Sequence, residues 1–126
     1  MNQLNSLLAS LAAQDYCYLT TTGRVTGKPH TIEIWFALNH TTLYLMSGDG
    51  RSDWVRNLLK NLSVTVRIAE YTYSGTARLV QNEQEQSMAR NGLADKYNER
   101  EADGSLSEWA QTALVVGIDV NSSEIL

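Results

Sequence analysis

Two periodicities alternate along this chain. Leu4, Leu7, Leu8, Leu11 and Ala12 recur at the spacing of one helix face, which predicts an amphipathic helix over residues 3–14. A β-rich run at 16–22 follows and is stopped by Gly23. Over 31–38, Ile32, Ile34, Phe36 and Leu38 alternate with Thr31, Glu33, Trp35 and Ala37. That is the pattern of a half-buried strand whose first set points into a core. After a turn the chain returns as a strand over 42–47, which Gly48 and Gly50 end. Ser52 is placed to cap a helix, with Asp53 at the positive end of its dipole. Trp54, Val55, Leu58, Leu59 and Leu62 form the apolar stripe of that helix, and Arg56, Asn57, Lys60 and Asn61 face away. Strands at 63–69 and 71–80 come next, with Gly75 at a bulge or a close backbone approach. Asn82 caps a polar helix carrying Met88, Leu93 and Tyr97. A charged loop at 99–107 and a short turn around Trp109 lead to a last apolar strand at 113–120.

Short early connections predict antiparallel pairs, and six strands in so small a chain manage their edges by closing or nearly closing. The expected fold is α+β: one domain over residues 1–126, a small barrel of about six antiparallel strands with helices packed outside. Apolar residues at 43% and charged residues at 19% exclude disorder and fibres. No apolar run approaches the roughly 18 residues of a membrane span. The N-terminus lacks the basic start and cleavage site of a secretory signal. A cytoplasmic location is therefore expected. Cys17, the single cysteine, lies in a β-rich run and reads as a buried, inert thiol.

The net charge of −4 argues against a nucleic-acid partner. Its distribution says more. Between Arg24 and Arg78 seven basic residues face four acidic ones, whereas the remainder carries three basic and ten acidic. A positive middle within an acidic protein suits a small anionic ligand better than a long phosphate backbone.

Two loops fall in that middle. The turn 23–30 joins Gly23 and Gly27 to Arg24, Lys28 and His30, with Pro29 stiffening its exit, and a Gly-rich turn can offer backbone N–H groups to an anion. The loop 47–53 sets Arg51 beside Ser47, Gly48, Ser52 and a helix N-terminus, where phosphates bind. A solvated basic hairpin and an ordinary capped loop account for each one separately. Together they support each other, because consecutive antiparallel strands can bring their ends to one side of a barrel. No phosphate-loop or dinucleotide fingerprint is present, and no nucleophile elbow. His30 and His40 have no companions at metal-ligand spacing. Trp35, Tyr44, Trp54, Tyr97 and Trp109 can wall a flat ligand or pack a core.

The stretch LTTTGRVTGKPHTIEIWF, followed by LYLMSGDGRSDWVRNLLKNLSVTVRI, resembles the deazaflavin-dependent nitroreductase family. That family belongs to the split β-barrel flavoproteins that include pyridoxamine 5'-phosphate oxidase. The likeness covers residues 17–80 well and the last third loosely. It implies a split barrel binding the F-420 deazaflavin coenzyme, with Arg24 and the turn from Lys28 to His30 at the phosphate. Ser47, Gly48 and Arg51 would line the cofactor, Trp54 would sit beside it, and Trp35 would face the ring or the substrate, with Tyr97 the other candidate wall of the substrate pocket. Val25 and His30 stand where many members carry basic residues, which leaves FMN as the alternative cofactor.

The implied function is a reductase that passes hydride to a small electron-poor acceptor such as a quinone, nitroaromatic or enone. The cofactor carries that chemistry, in keeping with the lack of a catalytic triad. A non-catalytic cofactor carrier would need the same loops. A homodimer is expected, with its interface beside the cofactor. Trp35 lies opposite the core-facing set, so a ligand ring, a helix or a second subunit must cover it.

Overall fold

A computed structural model of the protein describes residues 3–124. Its elements are α1 (Gln3–Leu11), β1 (Cys17–Thr22), β2 (Pro29–Ile34), β3 (Ala37–Asn39), β4 (Thr42–Ser47), α2 (Asp53–Lys60), β5 (Ser63–Ile68), β6 (Tyr71–Leu79), α3 (Glu83–Tyr97), α4 (Glu108–Thr112) and β7 (Leu114–Glu124). Among the described residues the strands form one sheet in the order β2-β1-β5-β6-β7-β4-β3, with every pairing antiparallel.

The strand expected over 31–38 is in fact two. It breaks at Trp35 and Phe36, and its halves become the opposite edges of the sheet. Only three Cα steps separate Ile34 from Ala37, so the edges lie within about 11 Å of each other there. The sheet must therefore curl almost into a barrel and remain split, with seven strands rather than six. The alternation runs unbroken through the crossover because both halves turn the same face inward. Phe36 is fully buried, and Ile32, Ile34 and Leu38 pack on the same core.

That core fills the inside of the curl. Leu8 and Leu11 of α1, Leu19, Leu43, Leu45, Leu58, Ile68 and Ile118 meet there. A second cluster lies on the outer face, where α3 and α4 cover β4 and β7 through Tyr44, Met46, Leu93, Ala110 and Val115. With both faces covered, β4 is buried along nearly its whole length. Cys17 is a buried free thiol whose pKa burial pushes up to about 12.

Local chemistry explains the boundaries. Asn82 accepts a hydrogen bond from the Glu85 N–H at 2.9 Å to start α3, and Asn98 ends that helix in the left-handed region at φ 59°. The Ser107 hydroxyl caps α4 through the Ala110 N–H at 3.1 Å. Gly75 sits at the register shift between β6 and β7, where a Cβ would lie 2.6 Å from Ile118 Cγ2. Gly75→Ala should cost roughly 1–3 kcal/mol by overpacking, read as a lower urea midpoint with an unchanged slope.

The apolar stripe of α2 is narrower than its sequence suggests. Val55 and Leu58 are fully buried, but Leu59 and Leu62 are 51% and 45% exposed. Asn57, expected on the solvent side, is instead 4% exposed. That exchange builds the site.

Candidate functional site

The turn between β1 and β2 is held by its own backbone. The Gly23 N–H donates to the Lys28 carbonyl at 2.8 Å and the Gly27 N–H to the Gly23 carbonyl at 2.9 Å, with Gly27 at φ +75°. The Lys28 N–H is taken by Thr26 Oγ1 at 3.2 Å. These three donors are satisfied within the turn. His30 lies directly on Gly23, where a Cβ would come within 2.7 Å of its Nε2.

Arg24 ties the turn to α2. Its N–H and its Nη1 both donate to Asn57 Oδ1, at 3.1 and 2.8 Å, and its Nη2 reaches Asp53 Oδ1 at 3.1 Å. Asn57 Nδ2 in turn donates to Thr21 Oγ1 at 3.3 Å. Asp53 and Asn57 are one helical turn apart and so present adjacent side chains to the turn. Between hairpin and helix lies a cleft of about 430 Å³, within the range of small-molecule sites. Arg24, His30 and Trp54 line it, with Thr21, Ile32 and Asn57.

Three of the expected cofactor residues therefore meet, and the others lie elsewhere. Lys28, Ser47, Gly48 and Arg51 are outside the lining of this cleft. Ser47 is 3% exposed and builds the loop: its hydroxyl shares a 2.7 Å hydrogen bond with Ser52 and accepts from the Gly50 N–H at 3.2 Å. Ser52 holds the cap position of α2, yet its hydroxyl serves Ser47 rather than the helix. Among the described residues, the side chains of Lys28 and Arg51 are exposed and have no hydrogen bond or ion pair. The loops are linked because α2 returns under the hairpin, and not through neighbouring strand ends, since β2 and β4 are not adjacent.

Gly48 belongs to a different place, with a Cβ direction 3.7 Å from Trp109 Cδ1. There Trp35 stacks on Tyr97 with centroids 4.3 Å apart and planes 3° from parallel, and meets Trp109 edge-on at 5.7 Å. The two expected substrate-pocket residues are brought together, each covered by the other. The Tyr97 hydroxyl also reaches the carbonyls of Asp15 at 2.8 Å and Phe36 at 3.1 Å, and accepts from the Phe36 N–H at 3.0 Å. Lys96 Nζ donates to the Phe36 carbonyl at 2.9 Å and lies 3.6 Å above the Phe36 ring, where burial lowers its pKa to about 8. The end of α3 thus clamps the crossover between β2 and β3.

A second groove of about 470 Å³ is lined by hydroxyls and an amide, among them Thr20, Thr22, Ser63, Thr65, Ser74 and Asn121, and by no charged side chain. Of the two grooves, the first is the one lined by charged side chains.

The family described as F420H(2)-dependent quinone reductase matches residues 3–107. The chain belongs to that family. It is a deazaflavin-dependent oxidoreductase, and its cofactor is coenzyme F-420. Among solved structures it is similar to a putative pyridoxamine 5'-phosphate oxidase from Listeria innocua, with a TM-score of 0.75 and 20% identity over 99% of this chain and 98% of that one. It is also similar to a putative 5-nitroimidazole antibiotic resistance protein from Bacteroides thetaiotaomicron, at 0.75 and 18%, covering 94% and 80%. An F420-H2 dependent reductase superimposes at 0.67 with 18% identity, covering 82% and 93%. At these identities the likeness is one of fold, the split barrel. A comparison with curated proteins finds no match. No helix among the described residues is long and apolar enough to cross a membrane.

The cleft fits the cofactor chemically. A guanidinium and an imidazole stand beside the Trp54 ring and the Ile32 side chain, a donor set for a phosphate joined to a flat heterocycle. Asn57 and Asp53 were not expected at the site. Their one-turn spacing was the available signal, but the partner they share lies 29 to 33 residues earlier.

Proposed function

We propose that this protein transfers hydride from reduced F-420 to a small electron-poor acceptor, a quinone first and a nitroaromatic or enone next. The observation that supports this reading is the cleft where Arg24, His30 and Trp54 meet between the hairpin and α2. When bound, the reduced deazaflavin supplies the hydride. The chain's own part is to bind and orient. Arg24 holds the phosphate, His30 offers a ring nitrogen, and Trp54 gives the heterocycle an apolar side, while Lys28 and Arg51 add exposed positive charge outside the cleft lining.

Titration with F-420 and with FMN, followed by absorbance during turnover with a soluble quinone, tests the proposal. Binding of F-420 over FMN with quinone-dependent oxidation of the reduced cofactor is expected. Binding without turnover, or FMN preferred, would overturn it. A charge-assisted phosphate contact contributes about 1.5–3 kcal/mol. Arg24→Ala should therefore weaken F-420 binding by roughly tenfold or more. Stability should fall as well, since the buried Asn57 amide loses its Nη1 partner at 2.8 Å.

We also propose a homodimer. Strand β2 is a sheet edge exposed over half its residues, and Val25 beside it is 89% exposed. Light scattering at micromolar concentration with F-420 present should give twice the chain mass, and a monomer there rejects the dimer.

A further inference from the structure

The cation in the cleft is already partly satisfied. Arg24 and Asp53 are the two side chains of the lining that carry fixed charge, and they are bonded to each other at 3.1 Å. The two groups that hold Arg24 differ in kind. Asn57 is a neutral amide, 4% exposed, fixed from the other side by Thr21. The Asp53 side chain is 85% exposed, against 31% for Arg24, and makes a single bond to one nitrogen. One partner is built in and the other can leave.

We infer that Asp53 is an internal counter-anion that competes with the ligand's phosphate for Arg24, and that Asn57 is the positioning residue that keeps the guanidinium in the cleft while they exchange. This deepens the proposed function and rests on its reading of Arg24 as the phosphate anchor. A guanidinium offers five N–H donors in a rigid fork. Asn57 occupies Nη1, so the fork stays oriented when Asp53 swings to solvent. Displacing Asp53 costs little, because an exposed ion pair contributes little. Asp53 thereby lowers affinity for anions without closing the site.

The test compares F-420 and inorganic phosphate binding by Arg24→Ala, Asp53→Asn and Asn57→Asp proteins at low and at physiological salt. Asp53→Asn should bind both probes about three- to fivefold more tightly, with a melting temperature close to the parent's. That gain should shrink as salt rises. Asn57→Asp keeps an oxygen acceptor for Arg24 but adds a second carboxylate, and should weaken both probes about tenfold. Unchanged or weaker binding by Asp53→Asn, while Arg24→Ala loses binding, overturns the inference and leaves the anchor standing. Unchanged binding by Arg24→Ala removes the anchor, and the inference with it. Since Asp53 is on the surface, its variant folds whatever becomes of Asn57→Asp.

Discussion

Alanine in place of Trp35 is expected to destabilise the protein by about 2–4 kcal/mol, a fall in melting temperature of roughly 10 °C, while F-420 affinity of the folded protein is unchanged. The ring is half-buried, and its contacts come from within the chain. It stacks on Tyr97 at 4.3 Å, meets Trp109 edge-on, and packs on the outer cluster that binds α3 and α4 to the sheet. It also begins the two-residue crossover that brings the edges of the sheet together, so its loss loosens the split barrel at its narrowest link. Trp35 is not among the residues lining the Arg24 cleft. Trp35→Phe, which keeps a stacking surface, should recover more than half of the lost stability. Thermal melts set beside F-420 titrations decide the matter. Normal stability with impaired cofactor or acceptor binding would return Trp35 and Tyr97 to the role of a substrate wall.

The contrast between Trp35 and Arg24 shows where sequence reading reaches and where it stops. The inward set of Ile32, Ile34, Phe36 and Leu38 was legible because burial at period two is a local property of the chain. The break between β2 and β3 was not, since both halves keep the same inward phase and only long-range pairing separates them. Trp35 was visibly misplaced on a polar face. Its cover, Tyr97, lies 62 residues further along, and nothing near position 35 encodes it. Arg24 and His30 were legible as chemistry, from glycines that shape a turn and from cations beside them, and Trp54 was placed beside the cofactor only through the family resemblance. The carboxylate and amide that engage Arg24 come from α2, where Asn57 reads as one more polar residue beside Arg56. Its burial follows from the fold alone. The same holds for Ser47, whose hydroxyl bonds Ser52 and the Gly50 N–H within its own loop. Local patterns thus disclosed strands, turns and cationic loops, while the partners that decide each side chain's role arrived from distant elements.

One such distant arrangement is expected to set the acid limit of the protein. Arg78 donates to both oxygens of Glu85 at 2.9 and 2.7 Å and to Asp119 through Nε at 2.7 Å and Nη2 at 3.2 Å. The Tyr44 hydroxyl donates to Glu85 at 2.5 Å, and Thr42 to Asp119 at 2.9 Å. A Cβ at Gly117 would stand in ordinary contact with the guanidinium carbon, at 3.5 Å, and closer to Val80 Cγ2, at 3.3 Å. The network joins the first turn of α3 to β4, β6 and β7. The hydrogen bonds from Arg78, and then from Tyr44, hold the Glu85 carboxyl down at about 2, against 4.5 ordinarily. The Arg78 bond likewise lowers Asp119. A carboxylate depressed in the folded state contributes stability above its unfolded pKa and loses it as pH falls through the folded one. The contribution is therefore whole at pH 6 and disappears between about pH 5 and pH 2. At 1.4 kcal/mol per pH unit the Glu85 shift amounts to roughly 3 kcal/mol, and partial solvent screening of a side chain 22% exposed brings this to about 2. Glu85→Gln should thus be less stable than the parent by about 2 kcal/mol at pH 6 and nearly equal to it at pH 2. The opposite limb follows from the same cluster. Burial and the bond to Glu85 raise the Tyr44 phenol to about 12, so its contribution is present below pH 10 and is lost as pH rises towards 12. Urea unfolding at intervals from pH 2 to pH 7 measures the acid limb directly. Parent and Glu85→Gln curves that stay parallel across that range would show that Glu85 does not carry it.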